Sequence, residues 1–289
     1  MLEEQTLIRT GKNLMDLSRP RVMGILNLTP DSFYDGGQYL DTGHALEHAE
    51  QLLAAGADIL DLGGYSSRPG AADVSEGEEI DRLLPMVELL VKKYPQAVLS
   101  IDTFRASVAE ACLRAGAHMI NDIGGGNLDD NLFDTVAKYR VPYVLMHSRG
   151  TPNTMQRLTQ YDDLVIDMIR ELLPKIARLR ELGLRDIIVD PGFGFAKTLD
   201  QNYELLARMD ELKVLGLPIL GALSRKSMVY KLLNNTAAEA LTGTTVLHTL
   251  LLEKGVNIIR VHDVKEAVEA IKVWEKYKSK AQRLETKAS

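Results

Sequence analysis

Short, nearly continuous apolar runs alternate along this chain with longer stretches whose apolar residues recur every three or four positions. The short runs cover 22–27, 58–62, 98–102, 118–121, 143–147, 186–190, 218–223 and 257–261. They read as parallel strands covered on both faces, because such strands are apolar throughout rather than alternating. The intervening segments, near 42–55, 76–93, 105–115, 129–140, 161–182, 200–213, 236–254 and 263–278, carry the helical period. In 161–182 the stripe is Leu164, Val165, Met168, Ile169, Leu172, Leu173, Ile176 and Leu179, with charges between them and a predicted kink at Pro174. Gly56, Gly116, Gly183 and Gly255 stand where helices hand over to strands and predict left-handed C-terminal turns.

Eight strand–helix units in succession predict a (β/α)8 TIM barrel. An open doubly wound sheet fits less well, since no GxGxxG follows the first strand. The expected organisation is one domain. Residues 1–21 form a hairpin turning at Gly11-Lys12 and closing the barrel floor, 22–278 form the barrel, and 279–289, rich in Lys, Arg, Gln and Ser, fray.

Composition narrows the function classes. Of 289 residues, 45% are hydrophobic and 26% charged, which excludes a mainly disordered chain. A net charge of −6 without a basic footprint argues against nucleic acid or an anionic membrane as partner. The N-terminus lacks an apolar signal core, and no run approaches the ~18 apolar residues of a membrane span. The single cysteine, Cys112, lies between Ala111 and Leu113 and reads as packed helix. A soluble cytoplasmic protein is expected.

A barrel keeps its chemistry at the C-terminal ends of its strands. Polar residues gather there on every strand: Asn27, Asp61, Asp102, Asn121-Asp122, His147, Asp190, Ser224-Arg225-Lys226, then Arg260 and His262. The loops 28–38 and 63–77 are long and rich in Gly and Pro, as functional loops are. Phe193 and Phe195 follow Asp190 and predict exposed aromatics stacking on a flat ligand. Asp102, Asn121 and Asp190 offer acceptors and an amide, and Lys226 a donor, suited to an aminopyrimidinone edge such as a pterin or guanine. Ser67, Arg68, Arg260 and His262 suit phosphate oxygens. Asn27 and Asp35 offer hard oxygens to Mg²⁺. Blander roles compete at single positions. Asp102 could cap a helix, while Asn121-Asp122 and Asp190-Pro191-Gly192 could be mere turns. Arg225 could simply pair with an acid. His147 reads as a satisfied rim histidine, and His44, His48, His118 and His248 as structural or solvated.

Eight segments carry a resemblance: GILNLTPDSFYDGG (24–37), GGYSSRPG (63–70), SIDTFR (100–105), MINDIGGG (119–126), LMHSRGTPNTMQ (145–156), VDPGFGFAK (189–197), SRKSM (224–228) and RVHDV (260–264). In that order, over roughly residues 20–275, they resemble the dihydropteroate synthases, folate-pathway enzymes targeted by sulfonamides. The resemblance implies a homodimeric, Mg²⁺-dependent barrel. Its implied reaction joins 6-hydroxymethyl-7,8-dihydropterin pyrophosphate to p-aminobenzoate, giving 7,8-dihydropteroate and pyrophosphate. It further implies Asp102, Asn121, Asp190 and Lys226 around the pterin, with Met146 and Phe195 beside it. Asn27, Arg260 and His262 are implied at the pyrophosphate, with Mg²⁺ on Asn27 and Asp35. Ser67, Arg68 and Pro69, together with Lys226 and Ser227, are implied at p-aminobenzoate. Asp102, Asp190, Lys226, Arg260 and His262 are the implied catalytic set. Two departures stand out. Tyr65 occupies the place of a frequent Glu in the second loop, and His147-Ser148-Arg149 replaces a commoner run in the fifth. Alternatives are a pterin-binding methyltransferase domain, a Schiff-base aldolase using Lys226, and a non-catalytic pterin binder.

Overall fold

A computed structural model describes residues 5–29, 42–65, 74–151 and 153–288, with 282–288 by backbone alone. It opens on a hairpin, β1 (Leu7–Thr10) and β2 (Asn13–Asp16), turning at Gly11, whose φ of +64° suits glycine. Eight parallel strands follow: β3 (Arg21–Asn27), β4 (Ile59–Gly63), β5 (Val98–Asp102), β6 (Met119–Asp122), β7 (Tyr143–Met146), β8 (Ile187–Asp190), β9 (Leu220–Gly221) and β10 (Ile258–Val261). Their order is β8-β7-β6-β5-β4-β3-β10-β9, and a parallel bridge between Val189 and Ile219 joins the ends. The expected barrel is therefore the observed fold.

Strand β9 is shorter than the apolar run 218–223 predicts. Pro218 has no N–H to give, and the Asn257 side chain takes the Ile219 N–H at 2.8 Å while donating to the Leu17 carbonyl. The helices are α1 (Thr42–Ala55), α2 (Glu76–Lys93), α3 (Ala106–Arg114), α4 (Leu132–Tyr139), α5 (Leu164–Glu181), α6 (Leu199–Arg208), α7 (Ser227–Leu232), α8 (Leu241–Glu253) and α9 (Val264–Ala288). Helix α7, of six residues, is too short for its period to register in sequence. Helix α9 continues through 279–288, the segment expected to fray. Pro174 lies inside an unbroken α5.

Two cores result. The larger lies between strands and helices and takes the outward side chains, such as Leu26, Leu62, Ile101, Leu145 and Val189. The smaller fills the barrel's lower interior with Met23, Ile59, Met119, Val144, Ile188, Leu220, Ala222 and Ile258. Ile8 and Leu17 complete it from the hairpin side, so the hairpin does close the floor. Asp186 holds the hairpin there, accepting from Gln5 Nε2 and the Arg9 N–H, each at 3.0 Å.

Strand period two extends this inner column upward. Two or four residues beyond the inner apolar positions stand Asn27, Asp61, Ser100, Asp102, Asn121, Met146, Asp190 and Arg260. The register sets Asn27 beside Gly63, Gly63 beside Asp102, and Asp102 beside Asn121. On the other side Met146 lies beside Asp190.

Candidate active site

Burial below and polarity above give the barrel mouth its chemistry. Arg260, on β10, donates from Nε to Asp61 Oδ2 at 2.6 Å and from Nη2 to Asp102 Oδ2 at 2.7 Å. Asn121 Nδ2 donates to the same Asp61 oxygen at 2.9 Å. One guanidinium thus serves two carboxylates. Burial pushes the Asp102 carboxyl up to about 7, against the pull of Arg260, and the Asp61 charge adds to the rise. Asp102 therefore pairs with Arg260 rather than capping α3, whose first N–H goes instead to Asp129.

Asp190 ends β8 and is buried, which raises its pKa. Its Oδ1 accepts from the Gly192 N–H at 2.7 Å, so it holds the turn as well as facing the mouth. Gly192 sits at φ +68°, where a Cβ would come 2.2 Å from the His147 carbonyl oxygen. Lys197 lies beneath this loop and donates to the carbonyls of Gly192 and Phe195, each at 3.0 Å. His147 Nδ1 is 3.2 Å from Lys197 Nζ. Burial brings Lys197 down to about 7 and His147 down to about 4. His147 is thus the satisfied histidine expected, tied also to Glu171 at 3.0 Å.

Phe193 corrects the sequence reading: it is fully buried in the outer core, and only Phe195 reaches the mouth. Lys226 Nζ donates to the Phe193 carbonyl and stands 5.1 Å from the centre of the Phe195 ring. Burial lowers Lys226 to about 8. Arg225, just before it, adopts φ +52° and pairs through Nε and Nη2 with both oxygens of Asp263. That pairing is the bland role expected of Arg225, and it fixes the backbone that aims Lys226. Met146 is buried beside Gly192, and Ser227 is half-buried in the first turn of α7. His262 is exposed at the top of β10, and its N–H donates to Ser224 Oγ.

Asn27 ends β3. A Cβ on Gly63 would lie 3.5 Å from Asn27 Oδ1 and 3.8 Å from Asp102 Oδ2, so both flank one spot on the rim. That oxygen is a fitting hard donor for Mg²⁺, which takes one or two protein oxygens and the rest from phosphate and water. Asp35, Ser67, Arg68 and Pro69 lie outside the described residues. At the described edge of the second loop, Tyr65 meets Phe104 edge-on at 5.2 Å, and Arg105 stands 5.3 Å from its ring centre. Arg105 pairs with buried Glu79 at 2.6 Å. In the fifth loop Arg149 pairs with Glu171 and lies 3.8 Å from the Tyr161 ring centre.

Sequence reasoning brought together the inward residues Asp102, Asn121, Asp190, Lys226 and Arg260. It missed Lys197 and the part played by Asp61. Asp61 carried a signal, as a carboxylate two residues beyond an inner apolar position on a strand, but its partners required the fold.

Residues 23–262 match the family of pterin binding enzymes. The chain is 44% identical to dihydropteroate synthase of Escherichia coli over 263 residues, 90% of this chain and 93% of that one. Its fold superposes on a Yersinia pestis dihydropteroate synthase solved with a sulfonamide drug, with TM-score 0.89 and 45% identity, covering 94% and 99% of the two chains. The Xanthomonas albilineans enzyme in complex with 7,8-dihydropteroate superposes with TM-score 0.85 at 37% identity, covering 94% and 98%.

Proposed function

We propose, from the premise that this chain belongs to the dihydropteroate synthase family, that it makes 7,8-dihydropteroate for folate synthesis. It does so by joining 6-hydroxymethyl-7,8-dihydropterin pyrophosphate to p-aminobenzoate with release of pyrophosphate. The observation that carries this reading is one barrel mouth holding Asp102, Asn121, Asp190 and Lys226 with Arg260 at their side. Relatives matching about nine-tenths of the chain are synthases, so the methyltransferase and aldolase alternatives are set aside.

In this reading the carboxylates of Asp102 and Asp190 and the amide of Asn121 receive the pterin's ring N–H groups and amino edge. Lys226 donates to its carbonyl, with Met146 and Phe195 against its faces. The C–O bond to pyrophosphate breaks first, both electrons leaving on oxygen. The carbon left behind shares its positive charge with the electron-rich dihydropterin, close to Asp102 and Asp190. The arylamine nitrogen then forms the C–N bond, and its proton passes to solvent or to pyrophosphate. No strong base is needed, because the arylamine is already nucleophilic. Arg260 and His262 stabilise the charge growing on the leaving group. Mg²⁺, held by Asn27 and Asp35, would neutralise pyrophosphate charge. Ser67, Arg68, Pro69 and Ser227 would complete the p-aminobenzoate pocket.

We also read the protein as a cytoplasmic homodimer. Cys112 is buried and unable to form an intrachain disulfide. Among the described residues no helix is long and apolar enough to cross a membrane. Val246 and Leu250 on α8, with Val273 and Tyr277 on the adjoining α9, leave an apolar face that a second copy would cover.

The test is incubation with the pterin pyrophosphate, p-aminobenzoate and Mg²⁺, each omitted in turn. Dihydropteroate is expected only with all three. Its absence from the complete mixture would overturn the reading, and its formation without Mg²⁺ would overturn the metal assignment.

A further inference from the structure

Asp61 is fully buried in the middle of the inner column, beneath the mouth. Its Oδ1 has no hydrogen-bond partner among the described residues, whereas its Oδ2 accepts twice. The two donors belong to different halves of the site. Asn121 Nδ2, at 2.9 Å, comes from the half read as meeting the pterin; Arg260 Nε, at 2.6 Å, comes from the half read as meeting pyrophosphate. We infer that Asp61 is a positioning residue whose single oxygen ties the heterocycle half of the site to the phosphate half. The inference rests on the functional reading above and deepens it.

The chemistry of the groups decides the orientation. An ionised carboxylate only accepts, so Asn121 must present its NH₂ to Asp61. Its Oδ1 and one remaining amide hydrogen are thereby directed to the ligand. Arg260 spends Nε on Asp61 and one Nη2 hydrogen on Asp102, leaving the Nη1 hydrogens and the other Nη2 hydrogen of its planar fork for oxygens at the rim. Without Asp61 the Asn121 amide is free to rotate through half a turn, which exchanges donor for acceptor. Arg260 loses the partner that fixes its Nε edge. Asp61 itself is fully buried between both groups and, in this reading, touches neither substrate.

The experiment is a double-mutant cycle read by calorimetric binding of 6-hydroxymethylpterin, which carries the heterocycle and no pyrophosphate. Asp61→Ala should weaken this binding about tenfold, the size of one lost hydrogen bond to a charged group, and Asn121→Ala should weaken it by a similar factor. The double variant should be weaker than either single one by no more than about twofold. Asp61→Asn keeps an acceptor at the same place and should restore affinity to within about threefold of wild type. Asp61→Glu keeps the charge but moves the acceptor by a methylene, and should lose affinity as Asp61→Ala does. It carries the test if the alanine variant does not fold. In steady state, Asp61→Ala should also lower kcat, through Arg260, and not only raise KM for the pterin substrate.

Multiplicative losses in the double variant, or pterin affinity in Asp61→Glu within about twofold of wild type, would overturn the assignment. Wild-type protein that fails to bind the pterin would instead overturn the functional reading, and the inference with it. Wild-type binding with independent losses at the two positions removes only the role of Asp61.

Discussion

Arg260 carries one positive charge between the carboxylates of Asp61 and Asp102, while Lys226 keeps a proton in a buried setting that disfavours it. These two facts set the pH response of the site. Asp102, raised to about 7, serves as an acceptor only above that value; Lys226, lowered to about 8, serves as a donor only below its own. The kcat/KM of the free enzyme for the pterin substrate should therefore rise through about pH 7 and fall through about pH 8. A profile flat from about pH 6 to about pH 9 would show that these two groups do not gate binding or chemistry. At this scale the sequence was legible where a polar residue interrupts a buried apolar strand, because period two then assigns it to the barrel interior. It was not legible at Phe193. That residue reads as a rim aromatic by position, yet the turn held by Asp190 and Lys197 rolls it into the outer core. Nor was Lys197 legible, since its partners are backbone carbonyls and a histidine fifty positions away.

Elements at the floor and at the mouth are separable in energy and in function. Ile8 reaches the inner core from the hairpin and is fully buried among side chains of the barrel strands. Ile8→Ala should cost about 2–4 kcal/mol of stability, the usual price of a buried aliphatic truncation, and leave kcat within about twofold. Urea denaturation beside steady-state kinetics checks both expectations; a large fall in kcat without loss of stability would contradict the separation. The hairpin itself was readable from Gly11 between two apolar segments. Two elements were not readable. Helix α7 is shorter than two helical turns, so its residues pass for loop. Strand β9 loses ladder residues to the Asn257 side chain, a competition that no local pattern announces.

Across the whole molecule, the exposed apolar face on α8 and α9 gives the assembly prediction its physical basis. Val246 is 56% and Val273 72% exposed, on two helices that pack against each other. Sedimentation equilibrium should give about twice the 32.0 kDa chain mass, and Val246→Glu with Leu250→Glu should return it to one. A single-chain mass for the wild type at every concentration would reject the dimer. The barrel as a class was visible from eight repeats of strand and helix. Which residues close its ring was not, because the sixth and seventh barrel strands meet through a bridge between Val189 and Ile219, outside the ladder residues of β9.

Among the described residues, the stopper of Ile8 and Leu17 shuts the lower end of the cylinder and leaves the mouth as its doorway. Both reactants and both products share it, so depth dictates the order of traffic. In the functional reading the guest beside Asn121 takes the innermost berth and must arrive before anything seated nearer the entrance. A molecule that lodges near the entrance too early bars its own reaction partner from the room.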